Sequence, residues 1–238
     1  MRINLTTKHV QKALREVATP ERAATNAWFF KTGPGQYGEG DVFIGVSVPA
    51  GRVVAKQFKA LPFSELETLL YSNVHEDRLC ALHILVYRYK DADAKVQKHI
   101  YTFYIKHRAR INNWDLVDTS AASIVGAYLF DKDRAPLYKL AHSKVLWDRR
   151  IAVVATHYFI GKNDFADTLA LSEILMTDTH DLMHKAIGWM LREVGKRDRS
   201  VLQKFLTTHA HHMPRTMLRY AIEHFSPDER KWYMAFGK

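Results

Sequence analysis

Two tryptophans and one carboxylate are the residues whose spacing most suggests chemistry. In Asn113-Trp114-Asp115-Leu116-Val117-Asp118-Thr119-Ser120 the chain enters a run of small and aliphatic residues, "AASIVGAYLF". Asn113 suits a helix N-cap, and Asp115 then falls in the first turn, where unpaired N–H groups and the helix dipole favour a carboxylate. Asp118 has no such explanation. It lies four residues beyond Trp114, so indole and carboxylate share one helix face. A carboxylate at that depth either has a structural partner, a backbone group or an arginine, or acts on something bound. Further along, "WDRRIAVVA" supplies Arg149 and Arg150, and "HKAIGWMLRE" sets Trp189 four residues after Lys185 and three before Arg192. Cation, indole and cation share a stripe. If equivalent positions of a repeat face one surface, Asp118, Arg150 and Lys185 line up with both tryptophans beside them. An acid flanked by indoles on a basic surface suits a nucleic acid with a positively charged base, because an indole face attracts cations.

The elements that must hold these residues are helices. "TKHVQKALREV", "SELETLLYS", "EDRLCALHILVYRYKD", "AKVQKHIYTFYIKHRARI", "DRRIAVVATHYFIG", "DFADTLALSEILM" and "LMHKAIGWMLREVGKR" all carry apolar residues at the helical period. Pro20, Pro62 and Pro214 stand near helix starts, Ser64 with Glu67 has capping-box spacing, and a further helix is expected to begin near Pro49. "DVFIGVSV" comes closest to a strand, but it sits between a glycine-rich loop and a helix start. The fold class is all-α.

Similar units recur. With Arg78, Asp118, Arg150, Lys185 and Arg215 taken as equivalent, the spacings are 40, 32, 35 and 30 residues, which fits stacked helix pairs of the HEAT type forming a solenoid. One domain, 1–238, is expected: N-terminal helices over 1–32, a glycine-rich connector over 33–42, repeats over 43–225 and a tail over 226–238. "TGPGQYGEGD" lacks the Gly-Lys-Ser/Thr ending of a phosphate-binding loop and follows a helix, so it reads as a connector. The tail "DERKWYMAFGK" either caps the last repeat or presents basic and aromatic groups to a partner.

Composition narrows the partner. Thirty-five Lys+Arg against 25 Asp+Glu leave a formal charge of +10, and a basic domain of this size suits a polyanion. The single cysteine, Cys80, excludes an intramolecular disulfide and favours a reducing interior. Neither a signal peptide nor a spanning segment is read, so a cytoplasmic location is expected, at the nucleoid if the source is bacterial. His209, His211 and His212 lack the spacing and companions of a metal site. "KVQKHIYTFYIKHRAR" interleaves aromatics with cations, but at helical spacing, so its aromatics read as core.

"NNWDLVDTSAASIVGAYL", "LWDRRIAVVATHYFI" and above all "HKAIGWMLREVGKRD" resemble the AlkD-type DNA alkylation repair glycosylases. "IGVSVPAGRVVAKQF" is similar to that family's glycine-x-x-x-proline-x-x-arginine segment, here Gly45, Pro49 and Arg52. The resemblance runs from about residue 20 to about 225. It implies a right-handed solenoid of HEAT-like repeats with duplex DNA in a concave groove, and hydrolysis of the N-glycosidic bond of cationic purines such as 3-methyladenine and 7-methylguanine. It assigns the catalytic carboxylate to Asp118, aromatic walls to Trp114 and Trp189, and a backbone-contacting arginine to Arg150. Arg52 and Arg192 match further DNA contacts, and Lys185 joins them by its place on the stripe. For the N-terminal aromatic contact Phe29 is the nearest match, with Tyr37 the alternative. No metal and no cofactor are implied; the partner is duplex DNA containing alkylated bases, with no membrane, and a monomer suits that substrate. Two other classes stay open: a non-catalytic DNA-binding paralogue and a HEAT-type protein scaffold.

Overall fold

Prolines start several helices where the sequence places them. The computed structural model describes residues 5–236, which fall into two compact units, Met1–Ser120 and Ala121–Lys238. In the first, α1 (Thr7–Glu16) is followed by α2 (Pro20–Phe29), which opens on Pro20, and α3 (Val48–Gln57), which carries Pro49 in its first turn. Ser47 caps α3 by accepting from the Ala50 N–H. Then come α4 (Phe63–Leu70), α5 (His75–Lys90), α6 (Ala94–Lys106), a 3-10 turn at Arg108–Arg110 and α7 (Trp114–Ala121). The expected Ser64–Glu67 capping box is not formed. Pro62 stands at the cap position and α4 begins at Phe63, so Ser64 is already helical, its carbonyl accepting from Thr68 Oγ1.

Helix α5 is the core of this unit. Every residue from His75 to Leu85 is buried, and α3, α4 and α6 pack on it. Among the described residues the only β feature is an isolated parallel bridge, Val42 to Val74. It joins the segment before α3 to the residue before α5, so the "DVFIGVSV" run borders a helix pair instead of a sheet. Gly45 in this run takes φ +88°, and a Cβ there would lie 2.0 Å from the Thr19 carbonyl oxygen. Only glycine tolerates both the left-handed backbone and that approach, which docks the start of α2 on the loop before α3.

In the second unit a π-helical turn (Ala122–Gly126) leads into α8 (Ala127–Leu129). It is followed by α9 (Ala135–Ala141), α10 (Leu146–Ala155), α11 (His157–Ile160), α12 (Ala166–Ile174), α13 (Asp181–Arg197), α14 (Arg199–His209), α15 (Arg215–Ala221) and α16 (Pro227–Met234). Helix packing runs from α9 to α10 to α13 to α15, the succession of stacked helix pairs. The tail forms α16 with a Ser226–Glu229 capping box, buries Tyr233 against Phe225 and pairs Glu229 with Arg199. It therefore caps the last pair.

The repeat shows itself in shared hydrogen bonds. Ser72 Oγ donates to Asp77 and Ser143 Oγ to Asp148, at 2.7 and 2.9 Å. Arg78 and Arg149 each donate to the carbonyl six residues back, Ser72 and Ser143, and His184 does the same to Asp178. Arg78 is thus equivalent to Arg149, not to Arg150. Asp118, Arg150 and Lys185 do share one register: each stands five residues beyond the residue that precedes its helix, Asn113, Val145 and His180. Glycines mark the same repeat. A Cβ on Gly126 would lie 2.1 Å from the Ala155 carbonyl oxygen and 2.9 Å from Tyr158 Cβ; on Gly188, 2.4 Å from the Met217 oxygen and 2.5 Å from Tyr220 Cβ. Both glycines meet partners at identical sequence offsets, so helix contact without a Cβ recurs between successive pairs.

Candidate active site

Helix α7 is held at its first turn by a buried charge network. Asp115 begins as the sequence predicts, its Oδ1 accepting from the Leu116 N–H at 2.9 Å. Its Oδ2 lies 2.8 Å from His75 Nε2, and the other ring nitrogen of His75 lies 2.9 Å from Asp41 Oδ2. Asp41 also accepts from Arg78 at 2.5 Å and from Asn113 Nδ2 at 3.0 Å. Burial alone would lower the pKa of His75, but the Asp115 and Asp41 carboxylates outweigh it and raise it to about 9. The ring is therefore an imidazolium with both N–H groups donating. Burial would likewise raise Asp41, yet the His75 hydrogen bond and the Arg78 charge hold it down at about 2. Asn113 is wholly buried and donates into this network, while its side-chain oxygen accepts from the Trp114 N–H and its carbonyl from Val117.

Aromatic rings continue the network toward the surface. Phe43 stacks on His75 at 4.5 Å between ring centroids, and Phe30 stacks on Phe43 at 4.9 Å. Trp114 lies on Phe30, 5.0 Å away with 9° between planes, and Phe29 meets its edge at 6.0 Å. Trp114 is half-buried, Phe29 is 54 % exposed, and Tyr37 donates to the Phe29 carbonyl. Of the two candidates for an N-terminal aromatic contact, Phe29 is the one beside Trp114. Asp118 follows one turn along α7, also half-buried, and its charge acts with burial to push the Tyr104 phenol up.

Sequence reasoning missed Asp41, His75 and Glu76. Glu76 accepts three backbone N–H groups, from Ile44, Gly45 and Val46, at 2.8–3.2 Å, and so fixes the loop that carries Phe43. A small cleft of about 140 Å³ opens here, lined among others by Arg22, Asn26, Phe30, His75 and Asp115. Asp41 ends the glycine-rich connector, and that position was the one available signal: an acid beside glycine-rich turns whose partners lie far along the chain. Arg52 is exposed on α3, close enough for its charge to add to the burial that takes His83 down to about 4.

The remaining site residues belong to the second unit. Arg150 is 4 % exposed and donates to the Leu182 carbonyl at 2.5 Å. Lys185 pairs with Asp181 at 2.7 Å, one turn back on α13. Trp189 is half-buried, donates its indole N–H to Glu193 at 3.2 Å and lies beside the His157 ring at 5.7 Å. Arg192 forms an ion pair with Glu223. The stripe of Lys185, Trp189 and Arg192 exists as the spacing predicts, but carboxylates accompany its cations. His209 pairs with Glu173, and His211 packs on Phe236.

A family model described as DNA alkylation repair enzyme matches residues 10–225. The chain belongs to that family. The solved structure of a predicted DNA alkylation repair enzyme from Enterococcus faecalis is similar in fold, with a TM-score of 0.69 and 17 % identity, covering 88 % of this chain and 97 % of that one. No curated protein matches the sequence. Membership places the chain among proteins that repair alkylated DNA. Among the described residues no helix is long and apolar enough to cross a membrane.

Proposed function

We propose that this protein is a monofunctional DNA glycosylase that releases cationic N3- and N7-alkylated purines, including 3-methyladenine and 7-methylguanine, from duplex DNA. The observation that carries the reading is the Trp114–Asp118 pair on α7, whose first turn is held by Asp41, His75 and Asp115. Alkylation at N3 or N7 makes the purine a cation and hence a good leaving group, so acid assistance is needed less than for an unmodified base. One carboxylate then suffices where glycosidases commonly employ two. As the bond breaks, positive charge develops on deoxyribose; ionised Asp118 stabilises it and orients the attacking water. The indole face of Trp114 attracts the cationic base and the developing sugar charge, and Trp189 offers a further indole face to the DNA, at roughly 0.5–2 kcal/mol each. Arg52, Lys185 and Arg192 contact the DNA backbone, and Arg150, buried and bonded to the Leu182 carbonyl, positions the start of α13.

The experiment is direct: incubate the protein with methylated duplex and analyse both products. Free 7-methylguanine and 3-methyladenine, together with an intact strand that breaks only on alkaline treatment, are the expected result. Strand nicking without added base means a lyase, and absence of free base returns the chain to the non-catalytic DNA-binding class.

A further inference from the structure

Several cations of the second unit already have a carboxylate. Arg149 pairs with Asp178, Arg134 with Asp164 and Asp167, Arg192 with Glu223, and Arg199 with Glu229. Others have none among the described residues, and three of these lie together. Arg219 on α15 and Arg230 and Lys231 on α16 are exposed and make no ion pair among the described residues. They converge on one cleft of about 360 Å³ between these helices, whose other lining residues are Ile222, Glu223, Pro227 and Met234. The single acid of the lining, Glu223, is engaged by Arg192. The cleft thus offers three cations beside the apolar side chains of Ile222, Pro227 and Met234. That combination matches a sugar–phosphate backbone, which presents an apolar sugar face between anionic phosphates, and guanidinium forks suit phosphate oxygens in particular.

We propose that the α15–α16 cleft is a second docking site for the backbone of duplex DNA, used for binding and taking no part in base release. The inference rests on the reading of the protein as a DNA-repair enzyme. Each phosphate neutralised by a protein cation adds about 0.9 to the slope of log K against log salt. The test titrates undamaged duplex with wild type, with the triple variant Arg219→Gln/Arg230→Gln/Lys231→Gln, and with a charge-matched control, Lys90→Gln/Lys95→Gln/Lys98→Gln, whose exposed lysines lie at the end of α5 and on α6. The expected result is a slope shallower by about 1–3 for the cleft variant alone. An unchanged slope, or equal loss in both variants, overturns the site. Single-turnover release of 7-methylguanine at saturating enzyme separates the two readings. The cleft variant should keep the wild-type rate, and a wild type that binds with the expected slope but releases no base would defeat the glycosylase while leaving the cleft in place.

Discussion

His75 is the residue on which the geometry around Asp118 most depends. Its side chain is 2 % exposed and bridges two carboxylates from sequence positions 34 and 40 residues away. Raised from 6.5 to about 9, it contributes stability that is complete below its unfolded pKa and is lost as pH rises through about 9. Asp41 acts on the other side, contributing stability above about 3.8 that is lost as pH falls through about 2. The melting temperature should therefore decline between pH 7 and 10 in the wild type. His75→Gln should be less stable at neutral pH, by about 3–5 kcal/mol as for a broken buried pair, and should lose that alkaline decline. Parallel declines in both proteins would mean His75 is not the titrating group. Trp114→Ala should slow base release about twofold to thirtyfold, the loss of one cation–π contact worth ~0.5–2 kcal/mol; single-turnover kinetics on 7-methylguanine duplex would show it, and unchanged kinetics would remove the indole from the reaction.

Among elements, α7 and α13 carry both tryptophans and Asp118, and a glycine in or just after each allows close packing. Gly126 follows α7 within a π-helical turn and meets the Ala155 carbonyl; Gly188 sits beside Trp189 and meets Met217 and Tyr220. Neither contact has room for a methyl group. Gly188→Ala should lower stability by about 1–3 kcal/mol through overpacking, and Gly45→Ala by at least as much, since φ +88° adds backbone strain to the Thr19 clash. Urea midpoints would check both, and a Gly188→Ala midpoint equal to wild type would mean α13 and α15 separate without cost. The helices themselves were legible, because their apolar period and their prolines are local signals: Pro20 and Pro49 fall in first turns, and Pro62 and Pro214 precede α4 and α15. Ser64–Glu67 misled because its spacing fits a cap while Pro62 had already taken that position.

Across the whole chain, what the sequence made visible was the repeat and the family segments; what it hid was tertiary. Similar strings made the repeat visible but matched Arg78 with Arg150; the Ser72 and Ser143 hydrogen bonds move the equivalence to Arg149. Asp115 looked fully explained by its place in a first turn. Its second role, as one wall of the His75 site, needed the connector residue Asp41 to return beside α5, which no local pattern encodes. Asp118 was singled out because no local rule accounted for it, and it remains the residue on which the functional reading turns. The decisive measurement is the single-turnover release of 7-methylguanine from methylated duplex by wild type and by Asp118→Asn at saturating enzyme. Release by the wild type and a rate on the order of 10²–10³ lower for the variant, as for the loss of one preorganised electrostatic group, is the predicted result; equal rates would contradict the role of Asp118 outright.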